Sequence, residues 1–167
     1  ASDAWYAERS AARGAADSVD AYNASQADVL AAIEEFGKGS AEHTAALRDE
    51  QAALDKVVQS ADKSAQATVN RARKEAEARG ATLSSVQALD VQNRPLLDQA
   101  ATLDGPMREQ LIAHIARIND IPTEVQSEIA AAIADGDIAR AESLLANASR
   151  TRTSYVKVEA DQYTMQL

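Results

Sequence analysis

The feature that most constrains this chain is a seven-residue spacing near its start. One series runs Trp5, Ala12, Val19, Gln26 and Ile33, a second runs Glu8, Ala15, Tyr22, Val29 and Phe36, and eight of these ten residues are apolar. A seven-residue repeat holds one stripe on one side of a slightly underwound helix, so residues 3–36 predict a long helix with a coiled-coil-like seam. Asp3 is placed to cap its start, and Gly37-Lys38-Gly39-Ser40 to end it. Gly14 lies off the seam and weakens the helix without redirecting it.

What fills the seam matters as much as its period. The chain holds 38 alanines in 167 residues, against six glycines, three prolines, one phenylalanine and one tryptophan. Alanine leads the helix propensity scale because it loses no side-chain rotamer freedom. It also buries little apolar area, at about 25 cal/mol per Å², so long helices in close approach are the expected source of stability.

A second helix is expected over 41–79, with Leu54, Val58, Ala61, Ala65, Val69, Ala72 and Ala76 at helical spacing, and its pattern can be extended to 94. Its relations run at eleven residues, which gives a nearly straight stripe phased differently from the first helix. Pro95 lacks an amide donor and disfavours helix in the residue before it, so a kink or boundary is expected there. The segment 95–135 reads as broken: an apolar turn or two, Asp104-Gly105-Pro106, a helix with Met107, Leu111, Ile112, Ile115 and Ile118, and a capping box from Thr123 and Gln126. Asp137 caps a closing helix over 138–162. The fold class is therefore all-α: one domain over 1–167, an elongated up-and-down helical bundle of about four passes with the third pass broken. An even number of passes brings both termini to one end.

Charge and composition restrict function. The formal charge of −9 argues against sequence-independent nucleic-acid binding, which needs clustered Lys and Arg. Residues 1–36 carry two arginines against seven acids, whereas 37–79 carry eight basic groups against seven acids, so the first two helices are suited to attract each other. Without cysteine, disulfides and thiolate chemistry are excluded. The start Ala1-Ser2-Asp3 lacks methionine, and we expect a processed or excised product of extracytoplasmic setting: periplasm, cell envelope or secreted.

No catalytic, cofactor or metal motif is present. His43 and His114 have no strong ligand at metal-binding spacing, and the acidic pairs Glu34-Glu35, Asp49-Glu50 and Glu75 with Glu77 read as solvated faces. The expectation is a non-enzymatic protein-interaction or scaffold module that binds another protein or a second copy of itself. The candidate contact residues are Trp5 and Tyr6 near the start and Tyr155 and Tyr163 near the end, gathered at one pole by an even pass number. The alternative is an extracytoplasmic four-helix sensor for a small anionic ligand, with Arg71, Arg94 and Arg150 as the candidate anion-binding residues. The Arg71, Arg73, Lys74 and Arg79 cluster also suits ion pairing with the acidic first helix.

Overall fold

The computed structural model describes residues 2–148, which are all-helical. Five helices are α1 (Ser2–Phe36), α2 (Ala41–Ala78), α3 (Ser85–Thr102), α4 (Gly105–Asn119) and α5 (Thr123–Ala134). A sixth, α6, occupies 138–148, so the described residues hold six helices where about four passes were expected.

The turn between α1 and α2 follows from its glycines. Gly37 and Gly39 sit at φ +91° and +86°, a region open to glycine because it has no Cβ. Ser40 then caps α2, its Oγ accepting the His43 amide at 3.1 Å, and the His43 ring reaches back so that Nδ1 accepts the Gly39 amide at 2.9 Å. Two amides left over at the helix start are thereby satisfied, and the buried His43 is a capping residue.

The α1 seam departs from expectation by one residue in one of its two series. In the second series Ala15, Tyr22 and Val29 are buried and Glu8 half-buried, but Phe36 at the end of the helix is exposed. The other buried series is Ala4, Ala11, Ser18 and Ser25, not Trp5, Ala12, Val19, Gln26 and Ile33. Close approach to α2 explains the shift: small residues occupy the tight positions, and the bulkier neighbours stand on the shoulder. The two serines lose little by burial, since each hydroxyl donates to its own helix at 2.6 Å, Ser18 to Ala15 O and Ser25 to Tyr22 O. Ser2 is already helical, which puts Asp3 within the first turn, where its charge suits the positive end of the helix.

The undecided stretch 41–94 is two helices. α2 ends at Ala78, and α3 opens with Ser84 and Gln87 in a reciprocal capping box, their bonds 3.1 and 3.0 Å long. Pro95 does not end α3, which continues to Thr102. Its missing amide removes one bond, while Leu96, Leu97 and Ala100 just beyond it are fully buried and hold the helix in place. Breaks fall instead at Leu103-Asp104 and at Asp120-Ile121-Pro122, where Asp120 takes φ +51°. Thr123 forms no capping box: Pro122 occupies the cap position and Thr123 is already inside α5. Asp137 does cap α6, accepting the Arg140 amide at 3.1 Å.

Packing builds outward from α2. α1 lies along α2, α3 and α4 pack on α2, and α5 packs on α3 and α4. One continuous core joins Tyr22, Leu54, Val57, Ala61 and Ala65 of the long pair to Leu96, Leu97, Leu111, Ile115, Ile129, Ile133 and Leu145 of the shorter helices. Leu and Ile of α3–α6 make up most of the largest fully buried side chains, and burial stabilises by about 25 cal/mol per Å² of apolar area.

Polar ties cross this core at few points. Asn93 and Asn119, both buried, exchange amide bonds at 2.9 and 2.8 Å, and Asn119 also donates to Ile115 O. Asp62 of α2 meets His114 Nε2 of α4 at 3.0 Å and accepts from Gln92 of α3 at 3.4 Å. A single carboxylate thus holds two helices to the long pair.

Candidate interaction surfaces

The α1–α2 pair has two long faces, and only one is covered. On the covered side, Val19 and Tyr22 of α1 and Leu54, Ala61 and Ala65 of α2 join the common core. On the opposite side runs an open groove of about 690 Å³, lined by Ala7, Ser10, Gly14, Asp17, Ala21 and neighbours on α1 and by Lys56, Ser60 and Lys63 on α2. Its α1 wall is made of small residues at three- and four-residue spacing, which leaves a trough between the two helices. Lys56, Lys63 and Asp17 make no ion pair or side-chain hydrogen bond with other described residues. These groove residues were not picked out from the sequence, although the spacing of Ala7, Gly14 and Ala21 was there to be read.

At the N-terminal end of the pair stand Trp5 and Tyr6, 44% and 65% exposed. Their rings meet edge to face with centroids 5.1 Å apart, and the Arg9 guanidinium lies 4.7 Å from the centre of the Trp5 ring. Stacking and cation–π attraction of about 0.5–1.5 kcal/mol each hold such rings in place without burying them. Tyr155 and Tyr163, expected at the same pole, lie outside the described residues. At the far end of the pair, Leu30, Phe36 and Leu47 are also exposed.

The candidate anion-binding arginines have carboxylates of their own. Arg71 pairs with Glu8 of α1 and, at 3.0 Å, with Glu75. The hydrogen bond to Glu8 is the largest cause holding the Arg71 guanidinium above its ordinary range. Arg94 bonds Glu142 of α6 at 2.6 Å and Asp98 at 3.2 Å, and the Glu142 bond likewise raises its pKa. A small anion at either arginine would have to displace these partners. Arg150 lies outside the described residues.

Other titratable groups are similarly engaged or scattered. Tyr22 is buried, and burial, followed by the Glu50 carboxylate, pushes its hydroxyl above the ordinary value, against the hydrogen bond it accepts from Gln26. Among the described residues no three His, Asp or Glu side chains come together to hold a metal ion. No described helix is long and apolar enough to cross a membrane. No family model, curated protein or solved structure matches this chain.

Proposed function

We infer that this chain is a non-enzymatic interaction module whose N-terminal aromatic pair contacts another protein. The observation that carries this reading is the exposure of Trp5 and Tyr6 side by side, with Arg9 held over the indole. Trp, Tyr and Arg are the residues most enriched where a few contacts dominate binding energy, and rings already fixed by mutual contact lose little entropy on docking. The partner face that suits them is a desolvated apolar pocket with an acceptor for the indole N–H at its rim.

Trp5 is the only tryptophan, so its emission reports this site alone. In the free chain we expect the red-shifted emission of a hydrated indole. Replacing Trp5 and Tyr6 together with alanine is expected to change stability by no more than about 0.5 kcal/mol, the range for surface substitutions. A photo-crosslinking residue at position 5 is expected to give one discrete protein adduct in the native host, lost when Tyr6 and Arg9 are alanine. A blue-shifted emission in the free chain, together with a loss of several kcal/mol in the double variant, would show that the rings close the end of the core and would overturn the reading.

A further inference from the structure

We propose that copies of this chain join end to end, the acidic tip of the α1–α2 hairpin of one copy docking on the aromatic pole of the next. This rests on the reading of Trp5 and Tyr6 as a protein-binding site and names the partner.

The hairpin is longer than the core that covers it. Among the described residues the common core reaches α1 only at Val19 and Tyr22 and α2 only between Ala53 and Ala65, so both ends of the pair project past it. Apolar positions do not stop where the cover stops. Leu30 lies eleven residues, three helical turns, beyond Val19, and Leu47 lies seven residues, two turns, before Leu54, so each continues a line that packs into the core. Leu30 and Leu47 are each six residues from Phe36 and Ala41, which flank the turn, and so stand at one level of the antiparallel pair. Of the six exposed large apolar residues, Trp5 and Tyr6 lie at one end of the hairpin and Leu30, Phe36 and Leu47 at the other; Val86, at the start of α3, is the sixth.

The two ends carry opposite charge. Around the tip, residues 26–52 hold six acids against Lys38 and Arg48, a net −4. At the pole, residues 2–13 and 68–80 hold six basic groups against four acids, a net +2 in a chain of −9. The bonds of Glu8 with Arg71 and Thr68 set Trp5 beside the last turns of α2, where Arg73, Lys74 and Arg79 are exposed. Those three make no ion pair with other described residues, and neither do Glu34, Glu35, Glu42 and Asp49 at the tip.

Complementarity selects the pairing. Tip on tip opposes acid to acid, and pole on pole opposes base to base. Tip on pole joins opposite charges, lays the exposed rings on an exposed aliphatic patch and offers carboxylate acceptors to the indole N–H at its rim. Trp5 and Phe36 are about 45 Å apart at 1.5 Å per residue, far enough for one copy to hold two neighbours at once. Because the contact joins two different surfaces of identical chains, each added copy leaves one tip and one pole free, and growth is open-ended.

Sedimentation velocity of the full chain over a range of concentrations tests this. The native chain is expected to form a series that extends past the dimer with concentration and shortens as salt is added. A pole variant, Trp5→Ala with Tyr6→Ala, and a tip variant, Leu30→Ser with Leu47→Ser, alter exposed positions only and are expected to melt near the native temperature. Each is expected to be monomeric alone. Mixed, the intact tip of the first meets the intact pole of the second, and association is expected to stop at a one-to-one pair. Arg73→Glu with Lys74→Glu, and Glu34→Lys with Glu35→Lys, are each expected to weaken association about tenfold, and a mixture of the two to recover most of that loss. A native chain that is monomeric at every concentration, a series that ends at the dimer, a mixture of pole and tip variants that stays apart, or charge reversals that do not rescue each other would overturn the proposal. A monomeric native chain whose crosslinker at position 5 captures a different protein overturns the end-to-end contact and leaves the aromatic reading standing; a blue-shifted Trp5 emission with a destabilised double variant overturns both.

Discussion

The α1–α2 pair and the α3–α6 assembly bury their helices by opposite means. On α1 the buried residues are mostly small, Ala4, Ala11, Ala15, Ser18 and Ser25, with Tyr22 and Val29 the larger ones, and α2 adds Ala61, Ala65 and Ala76 beside Leu54, Val57 and Val69. Where α3–α6 meet one another, the buried residues are Leu96, Leu97, Leu111, Ile115, Ile129, Ile133 and Leu145. The first arrangement gains from the length of two helices, 35 and 38 residues, lying close; the second gains from large side chains on shorter helices, of 12–18 residues in α3–α5. Small residues thus mark where backbones approach, and bulky ones mark where short helices need area to compensate for the entropy of ordering them.

The contrast predicts that the two regions respond oppositely to side-chain size. Leu111→Ala, at a fully buried site in α4, is expected to cost about 2–5 kcal/mol in denaturant unfolding, because a cavity forms among residues with little freedom to collapse. Ala15→Leu, in the α1–α2 seam, is expected to cost about 1–3 kcal/mol for the converse reason, since the added atoms force the helices apart. If Ala15→Leu were neutral, the seam would not be close-packed and the comparison would fail. A polar test falls on the bulky side: Asn93→Ala strips the Asn119 amide of its reciprocal partner and is expected to cost about 1–3 kcal/mol. Replacing both asparagines with leucine should recover much of that loss.

The smallest effect lies at the junction of the two regions and is read by pH. Because the Tyr22 hydroxyl is pushed upward in the folded chain, the fold binds its proton more tightly than the unfolded chain does. Stability from this group is therefore complete below the ordinary tyrosine value of about 10 and falls as pH rises through the folded value. Tyr22→Phe is expected to flatten that alkaline limb in unfolding curves collected across it.

The elements were largely legible in the sequence because turn chemistry is local. Gly37 to Ser40, Asp104-Gly105-Pro106 and Asp135-Gly136-Asp137 all separate helices where their residue types require. Two positions depart from this: Pro95 is carried inside α3 by the buried leucines after it, where tertiary burial outweighs local preference, and exposed Thr123 lies inside α5 because Pro122 takes the cap position. The seam was half legible for a related reason. Hydropathy favours Trp5, Val19 and Ile33 as the inner series, but inter-helix distance favours Ala4, Ser18 and Ala11, and no property of one helix alone reports that distance. The same limit applies to the surfaces. The position of Trp5 and Tyr6 is written in the sequence, whereas Glu8 and Glu142, which bond Arg71 and Arg94 alongside the local Glu75 and Asp98, lie 63 and 48 residues away. Asp62 gave no local sign that it would meet both Gln92 and His114.

The seam of small residues has one more consequence, for how two long helices find their alignment. A wall of alanine and serine repeating every seven residues looks nearly the same after a slide of two turns, so it selects a distance well and a position poorly. Tyr22 breaks that sameness. Its ring is the largest buried side chain on α1 and is seated near Glu50 within the common core, where the other buried α1 residues are small. The tyrosine acts as a detent on a smooth rail: without it, the alignment of α1 along α2 would be left to the Gly37–Ser40 turn and to the bonds of Glu8 with Arg71 and Thr68.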